Sequence, residues 1–283
     1  AELASFSCMY CGARLTKEQL AAEPPAAQEA DEDRAAYYDR AVSRLGWCIK
    51  NFGGYQKKIM RDVFFEAFET YETGCAPVIQ ELARGVAPER QTQLLGRAAA
   101  AMLDELEAGW QKKGDMEDEK IVLAIFFVPM VRKQQLPISE EFVTILQKQW
   151  VERYPKSPFY LGDYESISGG FRKKFLGLCF ITTAVCQELG KPDDCEELTA
   201  FRAFRDGYLR SQPDGEALIR EYYNIAPGIV TCINTCSDRH ASYARIREEY
   251  LAPCYQDLLA GRNESCKARY VRMVRDLERE YLS

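Results

Sequence analysis

Apolar side chains recur every three or four residues along most of the chain, the spacing of an α-helix that buries one face. The first such stripe ends at Gly53–Gly54, where the glycines are expected to break the helix. A second stripe, Ile59–Phe68, predicts a helix that stops near Gly74. A helix over Ser139–Trp150 is expected to use its serine as the N-cap. The clearest stripe comprises Leu95, Ala98, Met102, Leu106 and Trp110.

The second half of the chain repeats this pattern. A helix through Cys179 is predicted to end at Gly190. The next is predicted to open at Pro192–Asp194, because proline and acidic residues suit a first helical turn. Pro253 is expected to end or kink a later helix, since its ring removes a backbone donor. A final amphipathic helix is predicted from the stripe Tyr270, Val274, Leu277 and Tyr281.

Two apolar runs, Ile121–Val131 and Leu176–Cys186, are continuous rather than striped. Periodicity alone cannot separate a buried helix from a buried strand in such runs. Strand signals are nearly absent elsewhere, since the sequence shows no clean polar–apolar alternation and no Asn-Gly hairpin turn. We therefore predict that both runs are helices whose stripes face one another. The predicted fold class is all-α, a multi-helix bundle of about ten or more helices.

The same patterns divide the chain into four segments. Residues 1–15 hold a compact Cys-x-x-Cys motif. Residues 16–33 are rich in alanine, glutamate and proline, a composition typical of a flexible linker. A helical domain is predicted at 34–168 and a second one at 169–283. The N-terminal motif is thus expected to be a small knuckle on a flexible tether.

Composition and charge narrow the classes of function. Of the 283 residues, 47% are hydrophobic and 28% are charged, a balance typical of globular proteins. The formal net charge of −6 argues against a nucleic-acid-binding protein, which needs clustered cations to contact phosphates. The local basic clusters Lys57–Arg61 and Arg172–Lys174 are interpreted as solvated helix faces. No nucleic-acid partner is expected.

Cysteine usage and hydropathy indicate the compartment. Eleven cysteines would suit a small disulfide-bonded secreted domain, but the count is odd, the chain is large and the sequence shows no apolar leader. Free thiols in a reducing environment are the simpler interpretation, so an intracellular, cytoplasmic protein is expected. No apolar stretch reaches the ~20 residues of a membrane helix, and no membrane span is expected.

Cys8 and Cys11 stand in a Cys-x-x-Cys-Gly turn, a spacing at which two thiolates can bind a tetrahedral zinc ion. Residues 6–15 resemble one half of a zinc ribbon. A closed site needs four ligands, and the next cysteine, Cys48, lies beyond the predicted tether. Zinc bound by Cys8 and Cys11 with further ligands from elsewhere is the leading hypothesis. Vestigial free thiols and a redox pair are the alternatives.

The most distinctive stretch covers residues 179–233. Its elements in chain order are Cys179-Phe180-Ile181, Phe204-Arg205-Asp206, Tyr222-Tyr223 and Ala226-Pro227. In this order they resemble the CFI-box domain, a helical module at or near the C-termini of many bacterial proteins. The resemblance implies a helical fold and a bacterial source but no particular reaction. Val185-Cys186-Gln187 replaces the Ala-Tyr-Gly that often follows the opening motif.

This stretch also supplies the candidate catalytic residues. Cys195 is expected in the first turn of a helix, where the helix dipole favours a thiolate, although four neighbouring acids oppose that charge. One hypothesis is that thiol, guanidinium and carboxylate groups converge on a ligand. The preferred alternative is that the same groups only tie together a packed helical hairpin. The candidates are Cys179, Cys195, Arg202, Arg205 and Asp206.

Cys232, Cys236 and His240 are spaced four apart, so an unbroken helix would place them on one face as a soft-metal site. Ser237–Asp238 is expected to start a new helix and to separate them. His240 is the only histidine, which restricts Ser-His-Asp and multi-histidine mechanisms. The sequence also lacks a Gly-rich phosphate loop, a Gly-x-Ser-x-Gly elbow and a His-Glu-x-x-His motif.

Three functions remain open at this point. An interaction or scaffold protein, with protein partners and no reaction of its own, is preferred because the catalytic signatures are missing. A cysteine-dependent enzyme that uses the candidate residues is the alternative. A metal or cofactor carrier built on the cysteines of the second half is the third.

Overall fold

The computed structural model describes residues 5–7, 14–16, 26–112, 114–172 and 179–283. Within these ranges nearly all regular structure is helical, which confirms the predicted all-α multi-helix fold. None of the helices in these ranges is long and apolar enough to cross a membrane.

Two short strands near the N-terminus are the exception to the helical pattern. β1 (Ser5–Ser7) pairs antiparallel with β2 (Arg14–Thr16). The sequence patterns did not predict this pair. Cys8 and Cys11 lie outside the described residues, so the zinc knuckle stays a prediction.

Eight helices are described in the first half of the chain, with short 3₁₀ turns at Tyr55–Lys58 and Pro88–Arg90. They are α1 (Ala26–Leu45), α2 (Trp47–Lys50), α3 (Phe64–Gly85), α4 (Gln91–Gly109), α5 (Asp115–Val122), α6 (Val128–Lys133), α7 (Ser139–Arg153) and α8 (Tyr164–Arg172). The apolar run at 121–131 is therefore helical, as predicted.

The second half adds six described helices and a 3₁₀ turn at Leu209–Ser211. They are α9 (Phe180–Glu188), α10 (Glu196–Ala203), α11 (Gly215–Cys236), α12 (Arg239–Ile246), α13 (Ala252–Leu259) and α14 (Asn263–Tyr281). The described part of the second apolar run also lies in a helix, α9.

Three helices pass through a π-helical segment, at Leu123–Phe127, Phe204–Tyr208 and Arg247–Leu251. A proline follows the first and third segments by two residues, as Pro129 and Pro253. Each proline thus stands in the first turn of the next helix, where it loses no intrahelical hydrogen bond. The expectation that Pro253 breaks its helix is therefore wrong, because helical backbone continues on both sides of it.

The predicted flexible linker at 16–33 also needs correction, because α1 begins at Ala26. Alanine and glutamate favour helix formation, and acidic residues near a helix N-terminus interact favourably with its dipole. The helix is anchored further along, where the hydroxyl of Tyr38 donates to the carbonyl of Leu94 at 2.9 Å. The linker prediction is therefore wrong for residues 26–33.

Two further predictions fail for tertiary reasons. α3 does not stop at Gly74 but continues to Gly85, and a Cβ at Gly74 would already lie 3.4 Å from the ring of Phe52. Ser139 is not the N-cap of α7, since Ile138 holds that position. The buried Ser139 hydroxyl instead donates to the carbonyl of Val131 at 2.7 Å, tying the end of α6 to the start of α7.

The limits of α9 and α10 differ slightly from those expected. Cys179 is the N-cap of α9, and Gly190 follows its end with a left-handed φ of 67°, as a helix C-terminus requires. α10 begins at Glu196, later than Pro192–Asp194, and Cys195 is its N-cap. The cysteines thus flank their helices and do not lie inside them.

The buried apolar side chains form one continuous core in which α11 is central. α11 packs against the π segment Leu123–Phe127 on one side and against α9 on another. The stripes of the two apolar runs are therefore both covered by α11, which corrects the expectation that they face one another.

The same helix joins the two predicted domains. The backbone N–H of Arg61 donates to the carbonyl of Asn224 at 3.0 Å. A Cβ on Gly228 would lie 1.9 Å from the carbonyl oxygen of Ile59, so only glycine allows this approach. The predicted boundary between 168 and 169 falls inside α8, and the core is not divided there.

Candidate functional site

A narrow cavity of about 60 Å³ lies between the π segment Phe204–Tyr208 and the helices α11 and α14. We call it the aromatic cavity. Its apolar walls are formed by Phe201, Phe204, Leu209, Leu218, Ile219, Tyr222, Tyr270, Val271 and Val274. Its charged or thiol-bearing lining residues are Cys179, Arg205, Glu221 and Arg275. Three of the five candidate residues, Cys179, Arg205 and Asp206, meet at this cavity.

Arg205 is the central polar group of the cavity wall. It is buried, and its guanidinium binds the neighbouring Asp206 in a bidentate manner, with N···O distances of 2.8 and 2.7 Å. Its Nη1 also donates to the Tyr223 hydroxyl at 3.1 Å and to the Cys179 sulfur at 3.5 Å. The hydrogen bonds from Arg205 hold the pKa of Asp206 below its ordinary value. The cation is thereby tied to three side chains of the protein.

Cys179 contributes a thiol rather than a thiolate to the cavity. Burial raises the pKa of the Cys179 thiol, and this outweighs the opposing effect of Arg205 and Arg202. A raised pKa lowers the thiolate fraction at neutral pH, and the thiolate is the nucleophilic form of cysteine. The Cys179 position therefore favours packing over nucleophilic attack.

A pair of tyrosines covers the start of α9 next to this thiol. The backbone N–H of Ile181 donates to the hydroxyl of Tyr222 at 2.9 Å. The Tyr270 hydroxyl lies 3.3 Å from that of Tyr222 and 3.1 Å from the hydroxyl of Thr182. Burial raises the pKa of both tyrosines, so their hydroxyls stay protonated. The first turn of α9 is thus capped by side chains from α11 and α14, not by its own N-cap residue.

The other two candidates lie apart from the cavity wall. Arg202 donates to the carbonyl of Asp193 at 2.7 Å and to its carboxylate at 2.9 Å. The sulfur of Cys195 lies 3.9 Å from that of Cys186, across the turn between α9 and α10. The five candidates therefore form two groups.

The possible soft-metal set of the second half is also separated. Cys232 is buried in α11, where its thiol faces the carbonyl of Tyr281 at 3.6 Å. Asp238 caps α12 and starts the new helix as expected, because its carboxylate accepts from the N–H of Ala241. His240 is exposed and pairs with Glu188. Among the described residues, no group of three or more histidine, cysteine or acidic side chains could hold a metal ion.

Sequence reasoning missed the tyrosines of the cavity. Tyr222 and Tyr223 were noted only as part of the family resemblance, and Tyr270 only as part of a helical stripe. No pattern in the sequence shows that the three hydroxyls converge, since α11 and α14 are brought together by tertiary packing alone.

No protein-family model, curated protein or solved structure matches this chain. The resemblance to the CFI-box domain accordingly stays a prediction. Any functional argument depends on the geometry of the residues themselves.

Proposed function

We propose that this chain is an interaction protein without a reaction of its own, and that its aromatic cavity receives an aliphatic side chain of a partner protein. The observation that carries the proposal is the division of labour in the cavity wall. The wall offers aromatic and aliphatic surface, while its central cation, Arg205, is tied to Asp206, Tyr223 and Cys179. Such a wall can bury apolar surface and has little left for catalysis.

The size and the edge of the cavity favour this kind of occupant. Its volume of about 60 Å³ exceeds the ~10–15 Å³ needed by one water and is well below the ~150 Å³ of a cavity that accepts benzene. A short aliphatic group suits that range. Arg275 and Glu221 form an ion pair among the lining residues, with Nη2 and Oε2 2.7 Å apart. An apolar centre beside polar groups is typical of protein interfaces.

The test is a titration of the full chain with N-acetyl-leucinamide, followed by methyl NMR of Val271, Val274 and Ile219. N-acetyl-asparaginamide is the matched control, because its side chain has a similar shape but is polar. We expect weak, saturable shifts at these methyl groups with the leucine compound alone. Shifts scattered over the core, or equal shifts with both compounds, would contradict the proposal.

Two valine substitutions of equal size complete this experiment. Val271→Phe fills the aromatic cavity and should abolish the saturable shifts at Val274 and Ile219. Val151→Phe places the same ring on α7, away from the cavity, and should leave the shifts unchanged. Binding that survives in Val271→Phe would place the occupant elsewhere.

A cysteine-dependent enzyme is the second candidate function, because Cys179 lines a cavity 3.5 Å from a guanidinium nitrogen of Arg205. The two proposals differ in the rate at which iodoacetamide alkylates Cys179 near pH 7. We expect a slower rate than that of an unstructured cysteine peptide, because burial shields the thiol and raises its pKa. A faster rate that falls in Arg205→Gln would favour the enzyme.

A further inference from the structure

The described cysteines are all free thiols, and one of them differs from the rest in its exposure. Cys195 is partly exposed at the start of α10, whereas every other described cysteine is buried. Its sulfur lies 3.9 Å from that of Cys186, which is 1% exposed near the end of α9. The pair thus combines one sulfur that solvent reaches with one that it does not.

Two other thiol pairs lie in the core and provide a comparison. Cys75 raises the pKa of Cys48 through a hydrogen bond between the thiols, and Cys266 does the same for Cys254. All four of these cysteines are buried. A dissolved reagent can therefore reach the Cys186–Cys195 pair without unfolding the chain, whereas the two core pairs are shielded.

We propose that Cys186 and Cys195 are a redox-active dithiol that forms a reversible disulfide by exchange with a low-molecular-weight disulfide. The thiolate of Cys195 attacks one sulfur of the reagent, breaks its S–S bond and releases one small thiolate. Cys186 then gives its proton to solvent and attacks the Cys195 sulfur, which releases the second small thiol. The two cysteines lose two electrons and two protons, and the reagent is reduced to two thiols.

The local geometry allows the new bond. The two sulfurs must close from 3.9 Å to the ~2.05 Å of a disulfide, a change that side-chain rotation can supply. Cys195 has an extended backbone at the N-cap, so its side chain projects from the end of α10 and not from within a helical turn. Burial raises the pKa of Cys186 to about 12, which agrees with Cys195 as the sulfur that reacts first.

The test uses the full chain with Cys8→Ser and Cys11→Ser, which remove the other closely spaced pair in the sequence. The protein is incubated with oxidised glutathione and digested with a protease that cleaves after glutamate. Cleavage after Glu188 separates the two cysteines, whereas trypsin cannot be used because Pro192 follows Lys191. We expect the two peptides to be linked, with a mass two hydrogens below their sum, and to separate after reduction.

Three variants make the outcome decisive. Cys186→Ser should stop at a mixed disulfide between glutathione and Cys195, and Cys195→Ser should take up no glutathione at position 186. Cys48→Ser is the matched control and should give the same linked peptides as the parent. The proposal fails if the parent itself stops at the mixed disulfide, or if a core pair becomes linked first. This outcome is independent of the aromatic cavity, since no step of the exchange involves its occupant.

Discussion

Two buried cations, one in each half of the chain, show how similar ion pairs can have different roles. In the first half, the Lys120 side chain is 5% exposed and pairs with Glu117, which is 46% exposed. In the second half, the Arg205 side chain is 9% exposed and pairs with Asp206, which is 49% exposed. Each pair therefore has a cation in the core and a carboxylate near the surface.

The surroundings of the two cations differ. The ammonium of Lys120 donates to the hydroxyl of Ser157 at 2.8 Å, and the carbonyl of Ser157 accepts from the indole of the buried Trp150 at 2.7 Å. Arg205 instead reaches Tyr223 and Cys179 and lines the aromatic cavity. The comparison teaches that burial of a charge does not by itself mark a functional site. The adjoining cavity distinguishes Arg205 as the better candidate.

The largest effect is expected when the carboxylate is removed from the first pair. Glu117→Gln leaves the ammonium of Lys120 in the core with a neutral amide and Ser157 as partners. We expect a loss of about 3–5 kcal/mol in the free energy of unfolding, the usual result of breaking a buried ion pair. Chemical denaturation in urea measures it.

The control for this variant replaces both partners. Glu117→Gln combined with Lys120→Met removes the buried charge along with its partner and keeps a long side chain in the core. Most of the lost stability should return, since apolar residues of similar volume often replace a buried pair without net cost. A double variant as unstable as Glu117→Gln alone would show that the packing of the lysine stem, and not the charge, matters here.

A smaller effect is expected at the second pair. Asp206→Asn removes the carboxylate, but Arg205 keeps its hydrogen bonds to Tyr223 and to Cys179. We expect a loss of about 1–3 kcal/mol, typical of one hydrogen bond to a charged group. If this variant were as destabilising as Glu117→Gln, the two extra partners would contribute nothing.

The smallest effect is the pH dependence of that difference. The pKa of Asp206 in the folded protein lies below its ordinary value of 3.8, because Arg205 donates hydrogen bonds to it. Its stabilising contribution is therefore complete above pH 3.8 and is lost as the pH falls through the lower folded value. The stability difference between the parent and Asp206→Asn should be constant near neutral pH and shrink below pH 4. A difference that grows in acid would reverse the assigned sign.

Much of the fold could be predicted from local patterns, and the exceptions have identifiable causes. The stripe Leu95 to Leu106 lies in α4, and the glycine at 190 follows the end of α9. Gly74 did not stop α3, because its missing Cβ accommodates the ring of Phe52, and α3 continues past it. Pro253 did not break its helix, because a π segment places it in a first turn.

The candidate site was predicted only in part. The stretch at 179–206 was selected correctly as the source of a thiol, a guanidinium and a carboxylate that meet. The separation of Arg202 and Cys195 from that group was not visible, since spacing along a helix does not show which neighbour a side chain contacts. The three tyrosines come from two later helices, and no local signal relates them to Cys179.

By itself, the sequence determined that this chain is helical, because a helix is encoded by the periodicity and propensity of neighbouring residues. The tertiary structure alone decided that α11 covers both apolar runs, that the two predicted domains share a core, and that Arg205 meets Tyr223 beside a cavity. These contacts join residues far apart in the chain. They form because each helix must bury its apolar face against another, and a stripe does not specify which one.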